Sequence, residues 1–211
     1  AYAQALASQG YLAVCFDFRG GGPGSQSDGS PLEMTIFTEQ QNLEAEIAML
    51  RARSDVNEQY IFLLGNSQGG VVSALTAAAH PDWVRAMALS SPAFSLADDA
   101  RKLFGSVDEI PEQYFHLLMN VGRNYFASVY DFDPIDAAKS YPGDVLIFHG
   151  DRDTLVPIDY SRRAAESFPN AMLQVLSGEG HMYSGQAVRQ TIDSISDFFY
   201  THLGKAAMPQ S

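Results

Sequence analysis

The chain has 211 residues, 46% hydrophobic and 18% charged, which is enough apolar material for one sizeable core and too much for a disordered segment. Thirteen Lys and Arg against 25 Asp and Glu give a formal charge of -12, which repels phosphate backbones and anionic headgroups and argues against a general nucleic-acid or membrane-surface role. The single cysteine, Cys15, rules out an internal disulfide, and no apolar run reaches the roughly 18 residues that stable membrane insertion by a helix needs.

Residues 2–8 read as a short helix, and residues 11–18 as the first of five apolar runs expected to form strands. The glycine-rich segment 20–30 lacks the Gly-Lys-Ser/Thr of a phosphate loop and the G-x-G-x-x-G spacing, so it is expected to form a loop at the rim of a site. Leu43, Ile47 and Leu50 place an apolar stripe on the next helix. The second run, residues 60–64, leads through Gly65-Asn66-Ser67-Gln68-Gly69-Gly70 into a helix over 71–79 that His80-Pro81 ends. A third run spans 84–89. Residues 94–139 then break the rhythm, with Phe104, Tyr114, Phe115, Tyr125, Phe126, Tyr130 and Phe132 but no convincing strand, and read as an inserted helical cap. Runs at 145–148 and 172–176 complete the set, and Val188, Ile192, Ile195 and Phe199 share one side of a last helix. The tail from Gly204 reads as frayed.

Most runs are apolar on both faces and alternate with helices, which predicts an α/β protein with a mostly parallel sheet flanked by helices. Residues 1–93 and 140–204 are expected to form the core, 94–139 the cap and 205–211 the tail. Aromatic residues in such an insertion mainly pack it onto the sheet; Phe94, Tyr114, Phe115 and Tyr125 are the candidates to line a substrate pocket.

The chemistry starts at Ser67. In G-x-S-x-G between a strand and a helix, the serine sits on a sharp turn with its hydroxyl exposed, and glycines at minus two and plus two leave room for the backbones to approach. The backbone N–H of Gln68, opening the helix, is expected to donate to a developing oxyanion. A serine hydroxyl needs a base to take its proton, and the base needs a carboxylate to hold its tautomer. His181, in the loop after the last run, is the base; His80, His116, His149 and His202 lack that context. Asp153, in the turn after residues 145–148, is the acid, with Asp151 as its rival because either could instead bond turn N–H groups. The chain order is Ser67, Asp153, His181. One cysteine and histidines without H-x-x-x-H spacing imply no metal, and no cofactor is called for.

Over nearly the whole chain these motifs resemble the α/β-hydrolase fold family: Phe16-Asp17-Phe18-Arg19-Gly20 before a helix, the elbow at Gly65 to Gly69, the acid loop at 151–157 and Gly180-His181. In that resemblance Asp153, not Asp151, matches the acid. Gly65 to Val72, then Ala88-Leu89-Ser90-Ser91-Pro92-Ala93 and an aromatic cap, are similar to bacterial cinnamoyl or feruloyl esterases, which usually carry His where Asn66 stands. The resemblance implies a serine hydrolase that cleaves small-molecule carboxylic esters through an acyl-enzyme. A monoacylglycerol lipase or lysophospholipase is the alternative, and a non-catalytic binding protein on the same fold is another. Family members begin with strands and a His-Gly loop that supplies the second oxyanion N–H, so the resemblance also implies that this donor lies upstream of Ala1 in a longer protein. Cytoplasm is the default compartment, and the oligomeric state is left open.

Overall fold

The computed structural model describes residues 1–22 and 24–204. The tail expected at 205–211 lies outside the described residues. In chain order the elements are α1 (Tyr2–Ser8), α2 (Ile36–Arg51), β1 (Phe62–Asn66), α3 (Gln68–Ala79), β2 (Ala86–Ser90), α4 (Leu96–Leu103), β3 (Gln113–His116), β4 (Met119–Gly122), α5 (Arg123–Ala127), α6 (Pro134–Ala138), β5 (Asp144–Gly150), α7 (Asp159–Ser167), β6 (Ala171–Leu176) and α8 (Gly185–Thr201).

Four strands form a wholly parallel sheet in the order β1-β2-β5-β6. Side chains alternate along each strand, so each face takes every second residue. Leu146 and Phe148 of β5, with Ala88 of β2, pack under Leu6 of α1 and Ala187, Ile195 and Phe199 of α8. Met87, Leu89, Val145 and Ile147 join the larger cluster on the other face, with Val71, Leu75, Ile47 and Ala164 from α3, α2 and α7. Burying a side chain of this size contributes about 1.5–3 kcal/mol, and the doubly apolar runs follow from having helices on both sides. Side-chain caps define where α2 and α8 start. Thr35 and Thr38 form a reciprocal capping box at α2, with Thr35 Oγ1 accepting from Thr38 N–H at 3.1 Å and Thr38 Oγ1 from Thr35 N–H at 2.9 Å, and Ser184 caps α8.

Two expectations are corrected. Residues 11–18 are not a strand: they hold no ladder, and Leu12 and Val14 face solvent. A strand needs a partner for its N–H and C=O groups. The four described sheet strands leave β1 at an edge with β2 as its only neighbour, and the 11–18 segment is attached instead through Tyr11, whose ring meets Phe62 edge-on. The segment 94–139, expected to form a helical cap, is also not all helical. Within it β3 and β4 pair antiparallel across a two-residue tip, Leu117-Leu118, with Leu117 at φ +54°. That tip carries none of the Gly, Asn or Asp that announce such a turn in a sequence.

Phe104, Tyr114 and Phe126 form a mutual edge-to-face cluster with centroids 5.2–5.6 Å apart that binds α4, the hairpin and α5 together. At the end of the insertion, α6 packs on α3 and α7. No helix among the described residues is long and apolar enough to cross a membrane.

Candidate active site

Ser67 stands between β1 and α3 with φ 52° and ψ -121°, a conformation strained for any residue with a Cβ. Its backbone is held from both sides: Ser67 N–H donates to Ser90 O at 2.9 Å, and Ser67 O accepts from Ala93 N–H at 3.0 Å. The glycines around it divide unequally. A Cβ on Gly65 would run into Gly69 O and come within 2.6 Å of Ser73 Oγ, and one on Gly70 would come within 2.9 Å of Pro92 Cβ. A Cβ on Gly69 would meet open space. The plus-two glycine is therefore not the one the close approach needs; that position is Gly70, where α3 crosses the segment after β2.

The structure brings the three expected side chains together. His181 Nε2 lies 3.0 Å from Ser67 Oγ and His181 Nδ1 lies 2.7 Å from Asp153 Oδ2. A carboxylate can only accept, so Nδ1 carries the proton and donates to Asp153, which leaves Nε2 free to accept from the Ser67 hydroxyl. The Asp153 side chain is wholly buried. Burial works against its ionisation, but the N–H of Val156, His181 and the N–H of Leu155 outweigh burial and hold the carboxyl below its ordinary range. Both backbone N–H groups reach Asp153 Oδ1 at 2.9 Å. The rival, Asp151, turns the other way and accepts from Gly178 N–H at 2.7 Å, pinning the loop that carries His181.

Gln68, the first residue of α3, has an N–H with no partner inside the helix. Its side chain is held at both ends: Nε2 donates to Glu39 Oε2 at 2.7 Å, and Oε1 accepts from Tyr125 Oη at 2.5 Å. This ties α2, the residue after the serine and the cap into one chain of hydrogen bonds. Glu39 is buried, and burial lifts its carboxyl from 4.5 to about 7 against the smaller opposing pull of the Gln68 amide. Nothing in the sequence marked Glu39, since an acid in the first turn of a helix normally faces water.

Of the four proposed pocket aromatics, only Tyr125 reaches this network. Phe94 is 1% exposed and packs toward Phe168 in the core, and Tyr114 sits in the cap cluster. Phe115 is 65% exposed, because alternation along β3 turns Tyr114 and His116 inward and Phe115 out. The other histidines are placed as follows. His80 ends α3, stacked on Trp83; His116 faces Tyr125 and Phe126; and His202 closes α8 and lies 2.7 Å from Asp144. His149 lies buried beside Asp153, with Nε2 3.2 Å from Oδ2.

The family model described as serine aminopeptidase, S33, matches residues 1–129, a span that includes Ser67 and Gln68. The protein YfhR of Escherichia coli O157:H7, described as uncharacterized, is 29% identical over 178 residues, covering 82% of this chain and 55% of YfhR. The chain thus spans about half the length of the curated relatives it matches. Among solved structures, Est1E from Butyrivibrio proteoclasticus with ferulic acid bound is 26% identical with TM-score 0.79, covering 88% of this chain and 75% of that one. The monoacylglycerol lipase of Paleococcus ferrophilus shares the fold at 18% identity and TM-score 0.71, over 96% of this chain and 89% of the lipase. With a matched model over more than half its length and a parallel sheet turning into α3 at Ser67, the chain belongs to the serine aminopeptidase S33 family and carries the α/β-hydrolase fold.

Proposed function

We propose that the protein cleaves carboxylic esters through an acyl-enzyme on Ser67. The observation that carries this reading is the continuous relay Ser67–His181–Asp153, at 3.0 and 2.7 Å, with the serine on a strained turn at the start of α3. His181 Nε2 takes the proton as Ser67 Oγ bonds to the ester carbonyl carbon. The carbonyl oxygen becomes an oxyanion that the Gln68 N–H is placed to receive, and the α3 dipole favours the same charge. His181 then gives the proton to the leaving alcohol. Water, deprotonated by His181, attacks the acyl-enzyme; the acid leaves and Ser67 recovers its proton. Asp153 stays ionised throughout and stabilises the imidazolium.

The substrate reading is an ester of an aromatic acid of the cinnamoyl or feruloyl type. It is supported by the likeness to Est1E with ferulic acid bound and by Tyr125, a cap phenol hydrogen-bonded to the residue next to the nucleophile. A lipid-ester hydrolase is a second reading, favoured by the exposed apolar hairpin tip of Phe115, Leu117 and Leu118. Two measurements decide. A fluorophosphonate probe is expected to label Ser67 in the parent and not in Ser67→Ala, and the variant is expected to lose p-nitrophenyl butyrate hydrolysis by at least about a thousandfold. A variant with the parent rate overturns the mechanism, and an unlabelled parent points to a non-catalytic protein. Methyl ferulate is expected to exceed a long-chain monoacylglycerol in kcat/KM; the reverse order selects the lipid reading.

A further inference from the structure

The buried face of α2 consists of Ile36, Glu39, Leu43 and Ile47, three aliphatic side chains and one carboxyl. A fourth aliphatic chain would complete that stripe without the desolvation that a carboxyl incurs. What the carboxyl adds is an acceptor: Glu39 Oε2 receives Gln68 Nε2–H at 2.7 Å. The other end of the same amide, Oε1, accepts from Tyr125 Oη at 2.5 Å. Burial first, then the nearby Glu39 and Asp99 carboxyls, hold the Tyr125 phenol above its ordinary range, so it keeps its proton and stays a donor. With an acceptor at one end and a donor at the other, the direction of the Gln68 amide is fixed.

This chain of bonds reaches a helix that cannot hold itself. With five residues, α5 (Arg123–Ala127) is far too short to be stable alone, so its place depends on tertiary ties. The Arg123 guanidinium donates to Ile110 O and, at 2.8 Å, to Val107 O, while the Phe126 ring meets Phe104 and Tyr114 edge-on. Those ties stay within the segment 94–139. The Tyr125 hydroxyl instead leaves that segment and ends on the residue after Ser67, with Tyr125 itself 5% exposed. We infer that Glu39 is a positioning residue for acyl selectivity: by fixing the direction of the Gln68 amide it pins the Tyr125 ring beside the Ser67 turn as one wall of the acyl pocket. The effect on selectivity rests on the ester-hydrolase reading, whereas the pinning of α5 is testable without turnover. A carboxyl that served only the packing of α2 would have no influence on a ring in α5.

The test compares Glu39→Met, which keeps length but removes the acceptor, with Glu39→Gln, which keeps an acceptor, and with Tyr125→Phe, which removes only the donor hydroxyl. All are made in the full-length protein. Two quantities are read beside the thermal midpoint: amide hydrogen exchange, and kcat/KM on p-nitrophenyl ferulate and p-nitrophenyl acetate, which share a leaving group and differ in the acyl group. Glu39→Met and Tyr125→Phe are each expected to speed exchange at residues 123–127 by about tenfold and to leave residues 71–79 unchanged. Each should also lower the ferulate-to-acetate ratio of kcat/KM by about five- to tenfold, chiefly through KM for the ferulate ester, with acetate turnover within about twofold of the parent. Glu39→Gln should match the parent in both quantities. Because the two changes break one chain, the double variant Glu39→Met/Tyr125→Phe should lose no more than the worse single variant.

Parent-like exchange at 123–127 in a folded Glu39→Met overturns the inference. So do an unchanged ester ratio, fully additive losses in the double variant, and an equal loss in Met and Gln that follows their thermal midpoints. Should Met prevent folding, Tyr125→Phe carries the same two readouts, and parent-like values there overturn the inference. A parent that hydrolyses neither ester overturns the hydrolase reading, and one that refuses the ferulate ester alone overturns the aromatic-acyl reading. In both cases the exchange comparison still decides whether Glu39 holds α5.

Discussion

Asp153 shows how one side chain can be specified by donors on every side. Backbone N–H groups at Oδ1 force that atom to remain an acceptor. In Asp153→Asn the amide oxygen must therefore stay at Oδ1, and the NH2 turns toward His181, where it favours the wrong imidazole tautomer. Ester turnover is expected to fall by about a thousand- to ten-thousandfold with the fold intact, read as kcat beside circular dichroism. Parent-like kcat would exclude Asp153 as the acid. Glu39 carries the opposite kind of shift. Its folded carboxyl titrates at about 7 against 4.5 when free, so between those values the folded protein binds more proton than the unfolded one and stability falls as pH rises. A shift of that size corresponds to about 3 kcal/mol. Glu39→Gln keeps an acceptor for Gln68 without the charge. Its advantage in urea midpoint should be absent near pH 4.5, grow up to pH 7 and then level off, and parallel curves would contradict the shift. Ser67, Gln68 and His181 could be named from motif and chain order, and Asp153 was separated from its rival Asp151 by the family resemblance. Glu39 and the contact of His149 could not, because each depends on a neighbour 29 residues away in one case and on a turn's curvature in the other.

At the scale of elements, the turn from β1 into α3 concentrates the steric demand. Gly65→Ala presses a Cβ into the backbone of Gly69 and Gly70 and is expected to lower stability by about 2–3 kcal/mol. Gly69→Ala meets open space in the first turn of a helix and is expected to leave stability unchanged or raise it by up to about 1 kcal/mol. Denaturant unfolding of the two variants distinguishes them, and equal losses would contradict the close approach at Gly65. Strands β1, β2, β5 and β6 were legible as apolar runs because helices cover both faces of the sheet. Two segments were misread for one shared reason. The 11–18 segment has strand composition but no ladder partner, while the β3–β4 hairpin has a ladder but lacks turn residues at its tip. Pairing is a relation between segments, and composition reports on only one of them at a time.

For the whole molecule, α8 is the seam that joins α1 to the sheet. Phe199 is 2% exposed, stacks on Phe62 of β1 at 4.6 Å and lies 6.5 Å from Tyr11, while Tyr2 on α1 reaches Thr191 on α8 at 2.8 Å. Phe199→Ala is expected to destabilise the protein by about 3–5 kcal/mol and lower the thermal midpoint in a single transition. A loss under 1 kcal/mol would mean that α8 is not part of the cooperative core. By itself the sequence determined the alternation of strands and helices, the position of Ser67 at a strand-to-helix turn and the two loops that carry Asp153 and His181, because periodicity and turn chemistry are local properties. Only the tertiary structure decided which residues lie against those groups. Glu39 and Tyr125 meet at Gln68 across 29 and 57 residues of chain that no local pattern encodes, since burial and hydrogen-bond geometry exist only once the elements have packed.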